Sequence, residues 1–359
     1  MTIEKLRELA SHAARRTAPE NFSVASVDKA LADGFKEIAG SVNGFMKNRY
    51  DIYDIIIENA DEIVPQKVME QFGQFAEVRN VAQGDKVLFK RGPLGKARAK
   101  KFLTQVGLSG VYESFRLDSE TFTVGMKSIG GAVSIDFERM LDGAESLSEF
   151  MNVLTEAQVD GIYGEIQNAL LTAAASGSMP SKNHKKGSYN PAELQGIVNT
   201  VKAYGGGATI FASPEFVDAM GADAIVPTIA NAAQGIYAPG DIDDIHNIGH
   251  IRIFRGTPIV VLKQSFVDEK NDKVLINPKF AYILPTGADK IVKIVMEGNT
   301  QIYDAVNRDQ SIEVNTYRKV GVGILAYNNW GVYENDDIDD SDWYNSAELD
   351  LGVDLHQGA

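Results

Sequence analysis

The sequence contains no cysteine, which removes disulfides, thiolate metal sites and cysteine nucleophiles and fits folding in a reducing compartment. Histidine is nearly as scarce, and five in 359 residues leave little material for imidazole acid and base pairs. No apolar run approaches the ~18 residues of a membrane span. Met1 to Arg16 carry charge throughout, where a secretion signal would have a short apolar core. Positive charge is also short. The 35 Lys and Arg against 49 Asp and Glu give a formal charge of -14, which speaks against a general nucleic-acid coat. The imbalance is local: nine of the acids, and no Lys or Arg, lie from Glu334 onward. Residues 335–359 are therefore expected to form a flexible acidic tail on a mildly acidic body.

Apolar residues make up 44% of the chain, enough for a sizeable core. Residues 1–46 show amphipathic helical spacing in Leu6, Leu9 and Ala13, a break near Pro19, and renewed helix over 27–38. From Tyr50 to Phe75 the chain is rich in Ile and acids and passes through Pro65, which leaves two readings open: an arm of short helices or a compact helical subdomain. A strand over 86–90 leads into the basic glycine stretch 91–96. Phe115, Leu117, Phe122, Val124 and Met126 alternate on the return, so residues 84–128 read as a long two-stranded hairpin. Such a ribbon is marginal alone in water and needs another surface over its apolar face.

Ser146-Leu147-Ser148-Glu149 is a capping box. The apolar stripe Met151, Leu154, Ile162, Ile166 and Leu170 that follows predicts a helix to about Ala175, roughly 45 Å long. Beyond a polar loop the pattern becomes mixed: a helix from Pro191, the breaker at 205–207, a strand over 208–212, and a helix capped by Ser213 with Pro214 in its first turn. Further strands are predicted at 258–262, 274–276, 280–284, 291–297 and 312–326. The fold class is α+β.

Chemistry-bearing constellations are sparse. Asp241, Asp243, Asp244, His246 and His250 could converge on a cation, but the zinc-protease spacing is absent and a solvated acidic loop explains them. The glycines at 205–207 precede a strand and lack a following Gly-Lys-Ser or Gly-Lys-Thr, so they are a helix stop rather than a phosphate cradle. Ser109 lacks the second glycine of a nucleophile elbow, because position 111 is Val. No catalytic, cofactor or metal site is expected. The one notable cluster is basic: Lys86, Lys90, Arg91, Lys96, Arg98, Lys100 and Lys101, with no acid between 86 and 101. No aromatic lies between Phe89 and Phe102, so stacking platforms for single strands are missing. Docking on an acidic copy of the same chain is the economical reading.

Ile63-Val64-Pro65, Phe72-Gly73-Gln74-Phe75, Gly84-Asp85, the run 210–216, the run 256–261 and the closing stretch 318–330 occur in an order that resembles the tailed-phage major capsid proteins of the Hong Kong 97 type fold. The resemblance spans roughly 45–334. It implies an N-terminal helical arm (1–75), an extended hairpin loop and its base (76–133), a peripheral domain with a spine helix (134–180 and 270–334) and an α/β axial domain (181–269), with 335–359 outside it. It implies a structural protein that forms pentamers and hexamers and builds an icosahedral shell around double-stranded DNA. The seven basic residues would then contact the adjacent subunit. Scaffold, portal and decoration proteins are the expected partners, and the virion, assembled in the bacterial cytoplasm, the expected location. A lysine to asparagine cross-link, as in one branch, has suitable residues in Lys90, Lys96, Asn328 and Asn329, but no local motif identifies it. Rival readings are an encapsulin-type compartment, a metal-dependent cytoplasmic hydrolase using the 241–250 loop, and a basic-finger nucleic-acid protein.

Overall fold

The computed structural model describes residues 2–19, 22–91, 120–135, 147–175, 179–204, 206–224, 244, 247, 249–268, 270–287, 290–306, 312–325 and 329–344. The chain divides into two compact units.

The first unit (1–87, 124–163, 294–322) is a helical bundle with a four-stranded sheet. Helices α1 (Ile3–Ala14), α2 (Val24–Ala39) and α3 (Val42–Phe72) place Leu6, Ala10 and Ala13, then Val27, Leu31 and Phe35, then Ile52, Ile55 and Ile56 in one core. These are three- and four-residue spacings, which line one face of each helix. Ser23 opens α2 through a capping box closed by Ser26. Helix α3 is continuous for 31 residues, so the open question over 50–75 resolves to a packed subdomain and not an arm of short pieces. Pro65 lies inside it, removing one backbone donor and costing about 3 kcal/mol in an isolated helix. Ile63, Val64 and Val68, all buried around it, offset that loss.

The sheet has the order β1-β10-β11-β4, built from β1 (Ala76–Val81), β4 (Lys127–Ile135), β10 (Val292–Val306) and β11 (Ile312–Ile324). Strands β11 and β4 are antiparallel with Tyr317 opposite Gly130, and a side chain at 130 would collide with Thr316 and Tyr317. Asp61 of α3 accepts hydrogen bonds from both the amide and hydroxyl of Thr300, each 2.8 Å, and lies 3.4 Å from Arg318 Nη1. Helix and sheet are thus joined through one carboxylate.

The second unit (88–123, 164–293, 323–359) is built on a six-stranded mixed sheet in the order β5-β12-β9-β6-β8-β7. Its strands are β5 (His184–Gly187), β6 (Gly207–Ala212), β7 (Ile253–Phe254), β8 (Thr257–Val261), β9 (Phe280–Thr286) and β12 (Gly331–Asn335). All five residues 208–212 of the inner strand β6 are buried, as a strand covered on both faces requires. Helices α5 (Pro191–Ala203) and α6 (Pro214–Ala219) supply Leu194, Ile197, Val201 and Phe216 to its core. Asn190 and Ser213 cap them, with proline in each first turn; the Ser213 cap and the start at Pro191 are as the sequence predicts. Strands β7 and β8 join through Arg255 (φ 45) and Gly256 (φ 77), a two-residue turn with both central residues left-handed.

Helix α4 (Leu147–Ala175) runs to the predicted end, and Met151, Leu154, Ile162, Ile166 and Leu170 are buried along it. Ser146, the hydroxyl of its capping box, lies outside the described residues. At 274–276 Val274 makes only isolated bridges, to Phe266 and Trp343, in place of the predicted strand. Residues 336–344, expected in the free tail, are folded onto the second unit. Asp340 pairs with Lys279 at 2.8 Å, the Tyr344 amide donates to Val274 O while the Val274 amide donates to Asp342 O, and Ile338 packs against the core.

Candidate functional site

The basic hairpin begins as two short antiparallel strands, β2 (Leu88–Arg91) and β3 (Glu120–Thr123), with Phe89 directly opposite Phe122. Because side chains alternate along a strand, Phe89 turns inward while Leu88 and Lys90 turn outward with Thr121 and Thr123. Phe89 is 2% exposed and stacks on Phe122 with ring centroids 5.6 Å apart. The buried Lys293 ammonium lies 5.6 Å from the Phe89 centroid, adding a cation–π contact in a desolvated setting. The base of the ribbon is therefore anchored on one face and open on the other, where Leu88 is 60% exposed beside Lys90.

Of the seven predicted contact residues, Lys86 and Lys90 are exposed, and Arg91 sits opposite Glu120 in the ladder. Lys96, Arg98, Lys100 and Lys101 lie outside the described residues. The cross-strand position of Glu120 means that the cluster has an acidic register partner that a scan of 86–101 alone does not reveal. Lys293 was likewise missed: it is remote in sequence, and nothing in the pattern around it marks a contact with Phe89.

The other candidates do not assemble into a reactive site. Among the described residues no three His, Asp or Glu side chains are placed to hold a metal ion. Asp244 pairs with Arg252 at 3.2 Å. Asp241, Asp243 and His246 lie outside the described residues, as do Ser109 and Asn328. Among the described residues no helix is long and apolar enough to cross a membrane. The strongly shifted side chains are buried structural groups. Burial raises the Tyr282 and Tyr189 hydroxyls well above the usual tyrosine range, and for Tyr189 the neighbouring Asp223 carboxylate pushes in the same direction. The Tyr333 hydroxyl, raised by burial, donates to Ser188 O at 2.7 Å and accepts from Asn190 N at 2.9 Å, which ties α5 to β12.

Exposed apolar side chains are the remaining surface signal. Tyr303 and Tyr317 stack at 5.7 Å with ring planes 10° apart, Tyr303 being 57% exposed, and Phe266 on the second unit is equally exposed. Such groups, with Leu88, suit burial against other protein surfaces.

Three comparisons bear on what this arrangement is for. No curated protein matches the chain. Among solved structures, one from Microbacterium phage Oxtober96 is similar at 9% identity with a TM-score of 0.50, covering 74% of this chain and 90% of that one. The mature capsid of bacteriophage PhiM1 matches at 10% identity and a TM-score of 0.48, over 75% and 87% of the two chains. The SrpI encapsulin of Synechococcus elongatus PCC 7942 matches at 12% identity and a TM-score of 0.43, over 75% and 87%. The family profile described as "SPbeta prophage-derived putative capsid protein YonB" matches residues 5–333, nearly the whole folded span, and the chain belongs to that family of phage capsid proteins with the Hong Kong 97 type fold.

Proposed function

We propose that this chain is a major capsid protein whose copies associate through pentamers and hexamers into an icosahedral head shell around double-stranded DNA. The observation that carries this is the family match over residues 5–333. The role is structural, and the protein is a component of the virion. Assembly takes place in the host bacterial cytoplasm, with scaffold, portal and decoration proteins as further partners.

The hairpin supports a specific mode of association. Its base is fixed by Phe89, Phe122 and Lys293 while Leu88 and Lys90 face outward. A second copy lying over that face would bury Leu88 and pair the basic residues Lys86, Lys90, Arg91, Lys96, Arg98, Lys100 and Lys101 with its own acidic surface. Opposite charges steer and register such a contact, while burial of apolar surface provides most of the affinity. DNA inside the shell needs no sequence-specific reader.

Negative-stain microscopy of the purified chain, alone and with a candidate scaffold, tests the proposal. Closed shells, or rings of five and six subunits, are expected. Compact monomers or dimers under both conditions would overturn it.

A further inference from the structure

A cleft of about 290 Å³ opens in the first unit where the end of α1 meets α3 and the start of α4. Ala14 and Ile63 supply its apolar lining. Four polar side chains on its walls, Arg16, Gln66, Lys67 and Asn152, make no hydrogen bond or ion pair among the described residues. Lys67 and Asn152 are half-buried, so their donors have given up part of their hydration with nothing on the protein in return. Arg15, also in the lining, pairs with Glu62, and the exposed Glu70 is the one acid among the described lining residues. Two unpaired cations therefore face one carboxylate, in a chain whose overall charge is negative. Nothing in the shell contact proposed for the hairpin uses any of these groups.

Arg16 is held at this cleft against its backbone preference. Its amide donates to Ala13 O and that of Thr17 to His12 O, each at 3.0 Å, the paired bonds that end a helix on one left-handed residue. Arg16 is that residue, at φ 50, in a conformation that glycine adopts freely and a β-carbon makes costly. The same bonds occupy the His12 and Ala13 carbonyls, which a cation at a helix end would otherwise meet. Backbone strain at a residue whose charged side chain has no partner in the chain points to a bound group rather than to the fold.

We propose that the cleft is a binding site for a phosphate group. The Arg16 guanidinium offers a planar fork of N–H donors, Lys67 a point charge, and the Gln66 and Asn152 amides neutral N–H groups. A tetrahedral phosphate, doubly charged or nearly so and rich in acceptor oxygens, satisfies that set, and its charge exceeds what Glu70 repels. The volume lies at the small end for ligand sites, which suits one phosphate group and not a whole dinucleotide. The phosphate is carried either by a small molecule or by a DNA backbone, and only the second source rests on the head-shell reading.

Isothermal calorimetry of the full chain with inorganic phosphate, at an ionic strength fixed with chloride, reads the site. Saturable binding is expected at millimolar phosphate or below. Arg16→Gly relaxes the left-handed turn, so it keeps or raises the midpoint of thermal unfolding while weakening phosphate binding by about tenfold or more. Lys67→Gln weakens binding similarly with unchanged circular dichroism. Glu70→Gln tightens it, because it removes the carboxylate that repels the ligand, a gain that loss of folding cannot imitate. A short DNA duplex that displaces phosphate from the parent, and loses affinity in the Arg16 and Lys67 variants, identifies a backbone phosphate as the ligand. Phosphate that binds while the duplex fails to compete identifies a small molecule. No heat beyond that of chloride, or parent affinity retained by both Arg16→Gly and Lys67→Gln, would show that there is no phosphate site here. Microscopy of the same sample reads shell formation separately, so failure of the site and failure of the shell are distinguishable.

Discussion

Asp61 and Arg318 carry opposite charges where neither is freely solvated. The Arg318 side chain is 5% exposed and that of Asp61 19%. Burial draws the Arg318 pKa down and the Asp61 carboxylate draws it back up, so the guanidinium depends on that neighbour to remain charged at low cost. Asp61 also accepts from the amide and hydroxyl of Thr300, so one carboxylate serves two hydrogen-bond donors and an ion pair. Removing it leaves an uncompensated buried cation. Asp61→Ala is expected to lower the stability of the unassembled chain by about 3 kcal/mol, whereas Arg318→Met in the same background recovers part of that loss by removing the orphaned charge. Urea unfolding of the single and double variants checks this. An Asp61→Ala variant as stable as the parent would show that water, not Asp61, solvates Arg318. Ser213 gives a smaller effect of the same kind. Its hydroxyl accepts from Phe216 N at 3.1 Å, and Ser213→Ala should cost about 1 kcal/mol.

Whole elements depend on how closely they approach one another. Gly331 opens β12 where a Cβ would collide with Ile197 of α5 and fall 2.9 Å from the Asn183 carbonyl. Gly331→Ala should therefore cost about 1–3 kcal/mol by forcing α5 away from the sheet, seen as a lower midpoint in thermal unfolding. An unchanged midpoint would mean that Ile197 can turn aside. Elements of this unit were readable where the signals are local: Pro191 and Pro214 in the first turns of their helices, the Ser213 cap, and the apolar run over 208–212. The continuity of α3 was not. Pro65 reads locally as a breaker, and only the burial of Ile55 and Ile56 in the core shared with α1 and α2, and of Val64 and Val68 around the proline, shows why the helix persists. Composition misled in the same way at 336–344. A run of Asp predicts solvation, but Lys279 and the backbone around Val274 lie far off in sequence and bind it. The basic hairpin was visible as charge, while its anchor Lys293 is placed by tertiary packing and has no contiguous signature.

At the scale of the whole molecule the question is what covers the surfaces that one copy leaves open. The outward side of the hairpin base pairs the 60% exposed Leu88 with Lys90, and the register partner of Arg91 is the single acid Glu120. The inward side is held by Phe89, Phe122 and Lys293, which charge changes on the other side do not touch. Lys86→Glu combined with Lys90→Glu should therefore leave the fold of each copy intact while reversing the sign of the surface presented to a neighbour. Each lost attraction becomes a repulsion of similar size, and the change is repeated at every equivalent contact of a closed shell, so a small effect per copy becomes a large one for the assembly. The expected result is unchanged circular dichroism with few or no shells by microscopy. The parent itself should assemble less readily as salt is raised from about 0.05 to 0.5 M, where the screening length shortens from more than 10 Å to a few ångströms. Leu88→Ser separates the two forces: it weakens assembly at every salt concentration and leaves the salt dependence in place, because it removes apolar burial and no charge. Charge-reversed chains that form shells as well as the parent would move the subunit contact away from the hairpin, toward the exposed Tyr303 or Phe266.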